Sequence, residues 1–328
     1  MLNKLNMGSI FKWLKQINIL MNLINAFRYN LKKEISITQE ELLLTKQKLK
    51  ITQQELLYFK ILNYYETNSN DKYKNELIFL KDIGCISLFP YRQIRKLEDV
   101  IVGFDDNKRM PFVIHNGDRL YFPESWSLSQ VKENYISLIE EQSILGGNFL
   151  EKSPHQYQTE SFCVNKGDIV LDIGAAEALF ALEVINLAAK VYIFESEKMW
   201  AKPLEATFEP YKNKVVIINK MVSGVDSENE ITLETALVNE KAKSLFLKLD
   251  IEGSESLVLE ANMNLLNKDI DIKVACCTYH KNEDEEYLKF FFDQIGYKSE
   301  FSDGFMIYVH DENIRPPYFR KGLIRAQN

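Results

Sequence analysis

Cysteine is scarce. The four in 328 residues, Cys85, Cys163, Cys276 and Cys277, stand at no metal-ligand spacing and fall far below the density of a disulfide scaffold. They read as reduced thiols of a cytoplasmic protein. A long apolar run is also missing. The longest uncharged stretch near the start, Gln16 to Phe27, is about half of the roughly 20 residues a membrane-spanning helix needs, and no leader-cleavage pattern follows it. Basic excess is missing too. The net charge is −7, with residues 1–66 near +5 and the remainder near −12, so the acidic main body excludes a phosphate-tracking surface and no nucleic-acid partner is expected. Finally, no G-x-G-x-x-G is present, which removes the usual signal for a nicotinamide dinucleotide.

The first third of the chain is helical in pattern. Residues 9–28 place Ile10, Trp13, Leu14, Ile17, Met21, Ile24 and Phe27 at helical spacing, with Lys12, Lys15, Arg28, Lys32 and Lys33 nearby. That suits either peripheral contact with an anionic membrane surface or burial against protein. Residues 34–66 repeat at an offset of 14, with ITQEELL at Ile37–Leu43 and ITQQELL at Ile51–Leu57. Ile35, Leu42, Leu49 and Leu56 form one seven-residue series. Ile37, Leu44, Ile51 and Tyr58 form another. The two lie on nearly opposite faces at 100° per residue, so a small bundle fits better than a two-stranded coiled coil. A homo-oligomer through these helices is therefore expected. The polar TNSND, Thr67 to Asp71, closes this extension at residue 66.

Residues 67–152 read as a linking subdomain. A helix and a short strand are expected over 72–97. DVIVGF, PFVIHN and DRLYFP then alternate or run apolar, and Asn116-Gly117 signals a hairpin. A helix over 126–145 stops at Gly146-Gly147.

Residues 153–328 carry the main domain, organised around VLDIGAAEALFALEVI, Val170 to Ile185. A buried strand runs into a turn of small residues and then an apolar helix, an arrangement that lets backbone N–H groups approach a ligand. Asp172 ends the strand, two residues before Gly174. A carboxylate there suits a cationic, amino-bearing ligand such as S-adenosylmethionine better than a pyrophosphate. The next strand, KVYIFE, ends in Glu195, 23 residues after Asp172, where a carboxylate can accept ribose hydroxyls. Further strands are expected at Lys214–Asn219, Phe246–Asp250 and Asp271–Thr278. A helix is expected at Asp284–Ile295, and a last pair of strands at Tyr297–Phe301 and Phe305–His310. The fold class is thus α/β: a Rossmann-like, mostly parallel sheet with one antiparallel edge strand.

GDIVLDIGAAEALFAL, VYIFESE, INKMVSG, FLKLDIEGSESLVLEA and ACCTYHK occur in that order. Together they resemble the FkbM-like family of class I S-adenosylmethionine-dependent methyltransferases, from about Ser153 onward. The resemblance implies methylation of a hydroxyl on a sugar or other glycan precursor, a small-molecule acceptor that nothing in the residues themselves reads out. It also implies that His155 and Tyr157, just before the first sheet strand, line the site. The alternatives are a nicotinamide-dependent oxidoreductase and a non-catalytic scaffold.

Ligands in such sheets bind at the carboxyl ends of the strands. Asp172, Gly174, Ala175 and Ala176 are assigned to the methionine part of the cofactor, Glu195 and Ser196 to the ribose, and Met221 and Val222 to the adenine. Asp250, Glu252 and His280 then face the transferring methyl, with Asp250 or His280 as base and Glu252 orienting the acceptor, and Tyr279 joins His155 and Tyr157 on the acceptor side. A divalent metal on Asp250 and Glu252 fits the preference of hard cations for carboxylates, but the spacing assigns none. Ala176 and Ala178 depart from the family pattern, which often carries Asn or Gly there.

Overall fold

A computed structural model describes residues 7–68, 70–87, 100–142, 153–311 and 313–328. The chain divides into two compact units, Met1–Lys60 and Ile61–Asn328. The first is drawn from one long helix, α1 (Met7–Thr67), which merges the two expected helical segments. Among the described residues no helix is long and apolar enough to cross a membrane.

Helix α2 (Lys74–Ile83) closes on Gly84, whose φ of +70° supplies the left-handed cap and whose N–H bonds to the Leu80 carbonyl. Of the short strand expected after this helix, Cys85, Ile86 and Ser87 are described and are not in a strand, and the rest lies outside the described residues. Strands β1 (Val102–Asp105), β2 (Met110–His115) and β3 (Asp118–Tyr121) form an antiparallel sheet of three. Asn116 and Gly117 turn between the last two with φ of +50° and +94°, the positive pair that a two-residue hairpin turn demands. Helix α3 (Leu128–Glu141) follows; its expected stop at Gly146-Gly147 lies outside the described residues.

The main sheet is built from β4 (Ile169–Ile173), β5 (Lys190–Phe194) and β6 (Val215–Ile218), with α4 (Leu179–Val184) and α5 (Lys198–Phe208) between them. Helix α5 contains Pro203 in its interior. After a short parallel pair, β7 (Met221–Val222) and β8 (Glu230–Ile231), and the turn of helix α6 (Leu233–Ala236), come β9 (Ser244–Leu249), α7 (Glu255–Ala261), α8 (Met263–Leu266), β10 (Asp271–Cys277), α9 (Asp284–Gln294), β11 (Lys298–Phe301) and β12 (Leu323–Gln327). The strand order is β11-β12-β10-β9-β4-β5-β6. Strand β12 is antiparallel to both neighbours and the other pairings are parallel.

Two details correct the sequence reading. The reversed strand lies one place in from the edge, not at it. It is also not Phe305–His310, where only Met306 bridges Arg320, but Leu323–Gln327, beyond the last expected strand. Its short buried run is broken in the sequence by Arg325, which is buried in the strand and satisfied by the Glu300 carboxylate at 3.0 Å and the Gln156 carbonyl.

Alternation assigns the two faces of the sheet. Val170, Val191, Ile193, Phe246, Ala275, Cys277 and Leu323 face one core, shared with the hairpin sheet, α3, α4 and α5. Leu171, Tyr192, Phe194, Leu247, Val274, Cys276 and Ile324 face the other, against α7, α8 and α9. Cys276 and Cys277 thus pack into opposite cores, as neighbours in a strand must. Full burial of a Leu or Phe is worth ~1.5–3 kcal/mol, so these two layers fix where each strand ends and hence where the site lies.

Candidate active site

The sheet order turns back on itself between β4 and β9, and ligands bind outside the carboxyl ends of strands at such a point. A cavity of about 610 Å³ lies there. It is lined by Ile173 and Gly174 after β4, Phe194, Glu195 and Ser196 after β5, Met221 and Val222 of β7, and Asp250, Ile251 and Glu252 after β9. Of the assigned cofactor residues, Gly174, Ala176, Glu195, Ser196, Met221 and Val222 meet on this cavity, with Asp250 and Glu252 at its other side.

Asp172 and Ala175 are elsewhere. They line a smaller cavity of about 80 Å³ with Glu141, Tyr157, Glu177 and Lys248. Asp172 is fully buried. Cross-strand register sets it opposite Lys248 of β9, whose Nζ lies 3.0 Å from Oδ1 and donates to the Gly174 carbonyl at 2.5 Å. Burial pushes the Lys248 pKa down, but the carboxylates of Asp172 and Asp250 outweigh it and raise it. The acid at the end of β4 therefore holds the glycine turn through a lysine, rather than facing the large cavity. Burial also raises Glu177 in this small cavity to about 7.

The turn itself is tight. Gly174 has φ +74°, and a Cβ there would lie 1.9 Å from the Asp250 carbonyl oxygen, so only glycine fits. Ala176 and Ala178 take φ of +47° and +60°, a conformation that costs an L-residue roughly 1–2 kcal/mol. This is the physical content of the departure from Asn or Gly noted above. Hydrogen bonding holds the strained segment: the Ala176 N–H donates to Glu195 Oε2 at 2.8 Å, and the Glu197 N–H to Oε1 at 2.6 Å. Each Glu195 oxygen keeps a lone pair for a ligand hydroxyl.

Asp250 gathers the remaining assigned residues. Its Oδ2 accepts from Tyr157 at 2.9 Å and its Oδ1 from Tyr279 at 3.2 Å. His155 Nε2 and His280 Nε2 each lie 3.4 Å from it. Burial alone would raise the Asp250 pKa, but the hydrogen bond and charge of His155, then Lys248 and His280, hold it well below the ordinary carboxylate range. Such a group is a poor proton acceptor.

His280 is differently placed. Its Nδ1 lies 2.9 Å from Oε1 of Glu255, itself buried, though off the ideal N–H direction. Glu255 is fixed by the Ile251 N–H at 2.9 Å. The Nε2 atom lies 3.4 Å from Asp250 and 3.7 Å from Glu252 and makes a hydrogen bond to neither. Glu252 is 80% exposed, at φ +56°, and accepts from the Tyr308 hydroxyl. Burial lowers the His280 pKa, and the Glu255, Asp250 and Glu252 carboxylates raise it by more.

His155 is buried between Glu141, which pairs with its Nδ1, and the Asp250–Tyr157 side, with Tyr157 Oη 2.8 Å from its Nε2. Burial opposes its protonation, but the two carboxylates raise its pKa to about 9. Because the folded value exceeds the unfolded 6.5, this group's stabilisation is complete below about pH 6.5 and is lost as pH rises through 9. The shift corresponds to about 3 kcal/mol. Denaturant midpoints are expected to fall between pH 6.5 and 9, and His155→Gln is expected to flatten most of that slope; an equal slope in the variant would refute the assignment.

Sequence reasoning missed three partners. Lys248 was legible as a lone charge inside the apolar LFLKL. Glu255 stands in the first turn of α7, where an acid ordinarily serves only the helix N-terminus. Glu141 gave no signal at all. Asp250, Glu255 and His280 offer atoms close enough to hold a metal, as do His155, Asp250 and Cys277. Lys248 and His155 stand against Asp250 and oppose a dication there.

No protein-family model matches the chain, and no curated protein matches it. Solved structures do show likeness. A precorrin-6Y C5,15-methyltransferase from Geobacter metallireducens GS-15 is 14% identical over 49% of this chain and 80% of its own, with a TM-score of 0.33. An rRNA methylase from Streptococcus thermophilus is 14% identical over 50% and 87%, with a TM-score of 0.33. A precorrin-8w decarboxylase from Methanobacterium thermoautotrophicum is 12% identical over 50% and 81%, with a TM-score of 0.32. These likenesses are too distant to carry a function.

Proposed function

We propose that this protein is an S-adenosylmethionine-dependent methyltransferase acting on a hydroxyl, in the class of sugars or glycan precursors. The observation that carries the donor is the charge of the large cavity. Glu195, Glu197, Glu230 and Glu252 line it against a single ammonium, Lys220, while the charge of Asp250, also on the lining, is offset by Lys248 and His155. Four carboxylates repel a dinucleotide pyrophosphate and attract a cation. The volume of about 610 Å³ lies within the ordinary range for a ligand of that size. Glu195 would hold the ribose hydroxyls, and the apolar side chains of Met221, Val222, Leu257 and Val258 would flank the base.

When bound, the donor supplies an activated methyl group on a sulfonium. The chain's own task is to position the acceptor and remove its proton, and positioning alone can account for several kcal/mol of barrier. His280 Nε2 is the group that can take the proton, with Glu255 orienting the ring from behind. Glu252 and Tyr308, at the exposed side, would orient the acceptor. The hydroxyl class rests on this base and on the family resemblance.

Calorimetric titration with S-adenosylmethionine, S-adenosylhomocysteine and NAD tests the reading. Both adenosyl ligands are expected to bind and NAD not to. Glu195→Ala is expected to weaken the adenosyl ligands at least tenfold. Binding of NAD alone would make the protein an oxidoreductase, and binding of none would make it a scaffold.

A further inference from the structure

We propose that residues 35–59 join copies of this chain in a parallel bundle of three or four helices. Ile35, Thr38, Leu42, Thr45, Leu49, Thr52, Leu56 and Phe59 follow one another at alternating spacings of three and four, the seam of a coiled coil. The threonines are what interrupt this seam in the sequence. In the helix each turns its hydroxyl inward: Thr38 donates to the Glu34 carbonyl at 2.9 Å, Thr45 to Glu41 at 2.8 Å and Thr52 to Lys48 at 3.1 Å. With the hydroxyl satisfied on its own helix, each presents a methyl group to a partner. Ile35, Leu42, Leu49, Leu56 and Phe59 are between 49% and 64% exposed, a continuous apolar stripe of about 36 Å at 1.5 Å per residue.

The flanking charges select the occupant and its direction. Glu34, Glu41, Lys48 and Glu55 border one side of the stripe; Gln39, Lys46, Gln53 and Lys60 border the other. In a parallel, in-register pair each residue of the first row meets the residue five places later in the second. That sets Glu41 against Lys46 and Glu55 against Lys60, with no like charges opposed. A centred antiparallel pair sets Glu34 against Glu55. The second copy of the chain is thus the complementary partner. The strand number follows from the side chains. Leucine at the first seam position with a β-branched residue at the second favours more than two strands.

Sedimentation equilibrium of the full chain is expected to give a trimer or tetramer. Leu42→Asp with Leu49→Asp is expected to give a monomer; these side chains are exposed on the helix, so its fold is not at issue. Lys46→Glu with Lys60→Glu is expected to weaken association at least tenfold, and adding Glu41→Lys with Glu55→Lys in the same chain to restore it. A monomeric or dimeric native chain, an aspartate variant of unchanged mass, or a charge swap that fails to restore association would each overturn the proposal.

Discussion

His280→Ala is expected to slow methyl transfer by about 10²- to 10⁴-fold, the ordinary contribution of a positioned general base, while donor affinity changes little. Of the two bases that the sequence allowed, the geometry favours this one. Asp250 already accepts two tyrosine hydroxyls and has two imidazoles and an ammonium around it. Protonating it would break that arrangement. His280 keeps a buried Nε2 with no hydrogen-bond partner, behind the Asp250 and Glu252 that line the large cavity, and the charge on its ring is balanced from the far side by Glu255. The base must be neutral to act, and its pKa is raised. The rate should therefore rise with pH along a limb lying above the ordinary histidine value of 6.5. Glu255→Gln removes a negative charge that raises that pKa, so its limb should move toward acid even as the rate falls. Transfer of labelled methyl from S-adenosylmethionine to a panel of sugar acceptors, followed across pH, reads both effects. A limb that stays in place in Glu255→Gln would sink the dyad, and a normal rate in His280→Ala would sink the base.

The second large effect concerns stability. Lys248→Met is expected to cost about 3–5 kcal/mol, because it strands the buried Asp172 carboxylate without a counter-charge. The pair is 6% and 0% exposed, so water cannot take the lysine's place. Removing both charges, as Lys248→Met with Asp172→Leu, is expected to recover most of that loss, since apolar packing often matches a buried ion pair. Denaturant midpoints of the two variants decide the matter. A double variant as unstable as the single one would mean that the bond from Lys248 to the Gly174 carbonyl, and not the ion pair, is what holds the turn.

These cases show what was legible in the sequence. Strands β4, β5, β9 and β10 announced themselves because both faces of each are buried, so their residues form short apolar runs. The hairpin announced itself through Asn116-Gly117. Strand β12 did not, because a buried arginine interrupts its pattern and only the tertiary partners Glu300 and Gln156 explain it. At the site, chain position gave the residues that end strands, such as Glu195 and Asp250. It could not give Lys248, whose meaning depends on register with Asp172, or Glu141, which reaches His155 from another layer of the fold. Asp172 illustrates the limit well. Its place at a strand end was read correctly, but whether the carboxylate faces a ligand or a lysine is decided by the neighbouring strand.

The wedged position of β12 bears on how the chain folds. Strand β10 has one edge covered by β9 early, but its other edge waits for a strand that lies more than forty residues further on, past α9, β11 and the return through residues 302–322. Closing so long a loop is slow compared with forming the neighbouring β-α-β units. Until it closes, β10 and β11 each show an unpaired row of backbone donors and acceptors, the kind of surface that recruits strands from other molecules. Refolding yield should then depend on protein concentration, and a tag or fusion that hinders residues 323–327 should lower it by leaving that gap open longer.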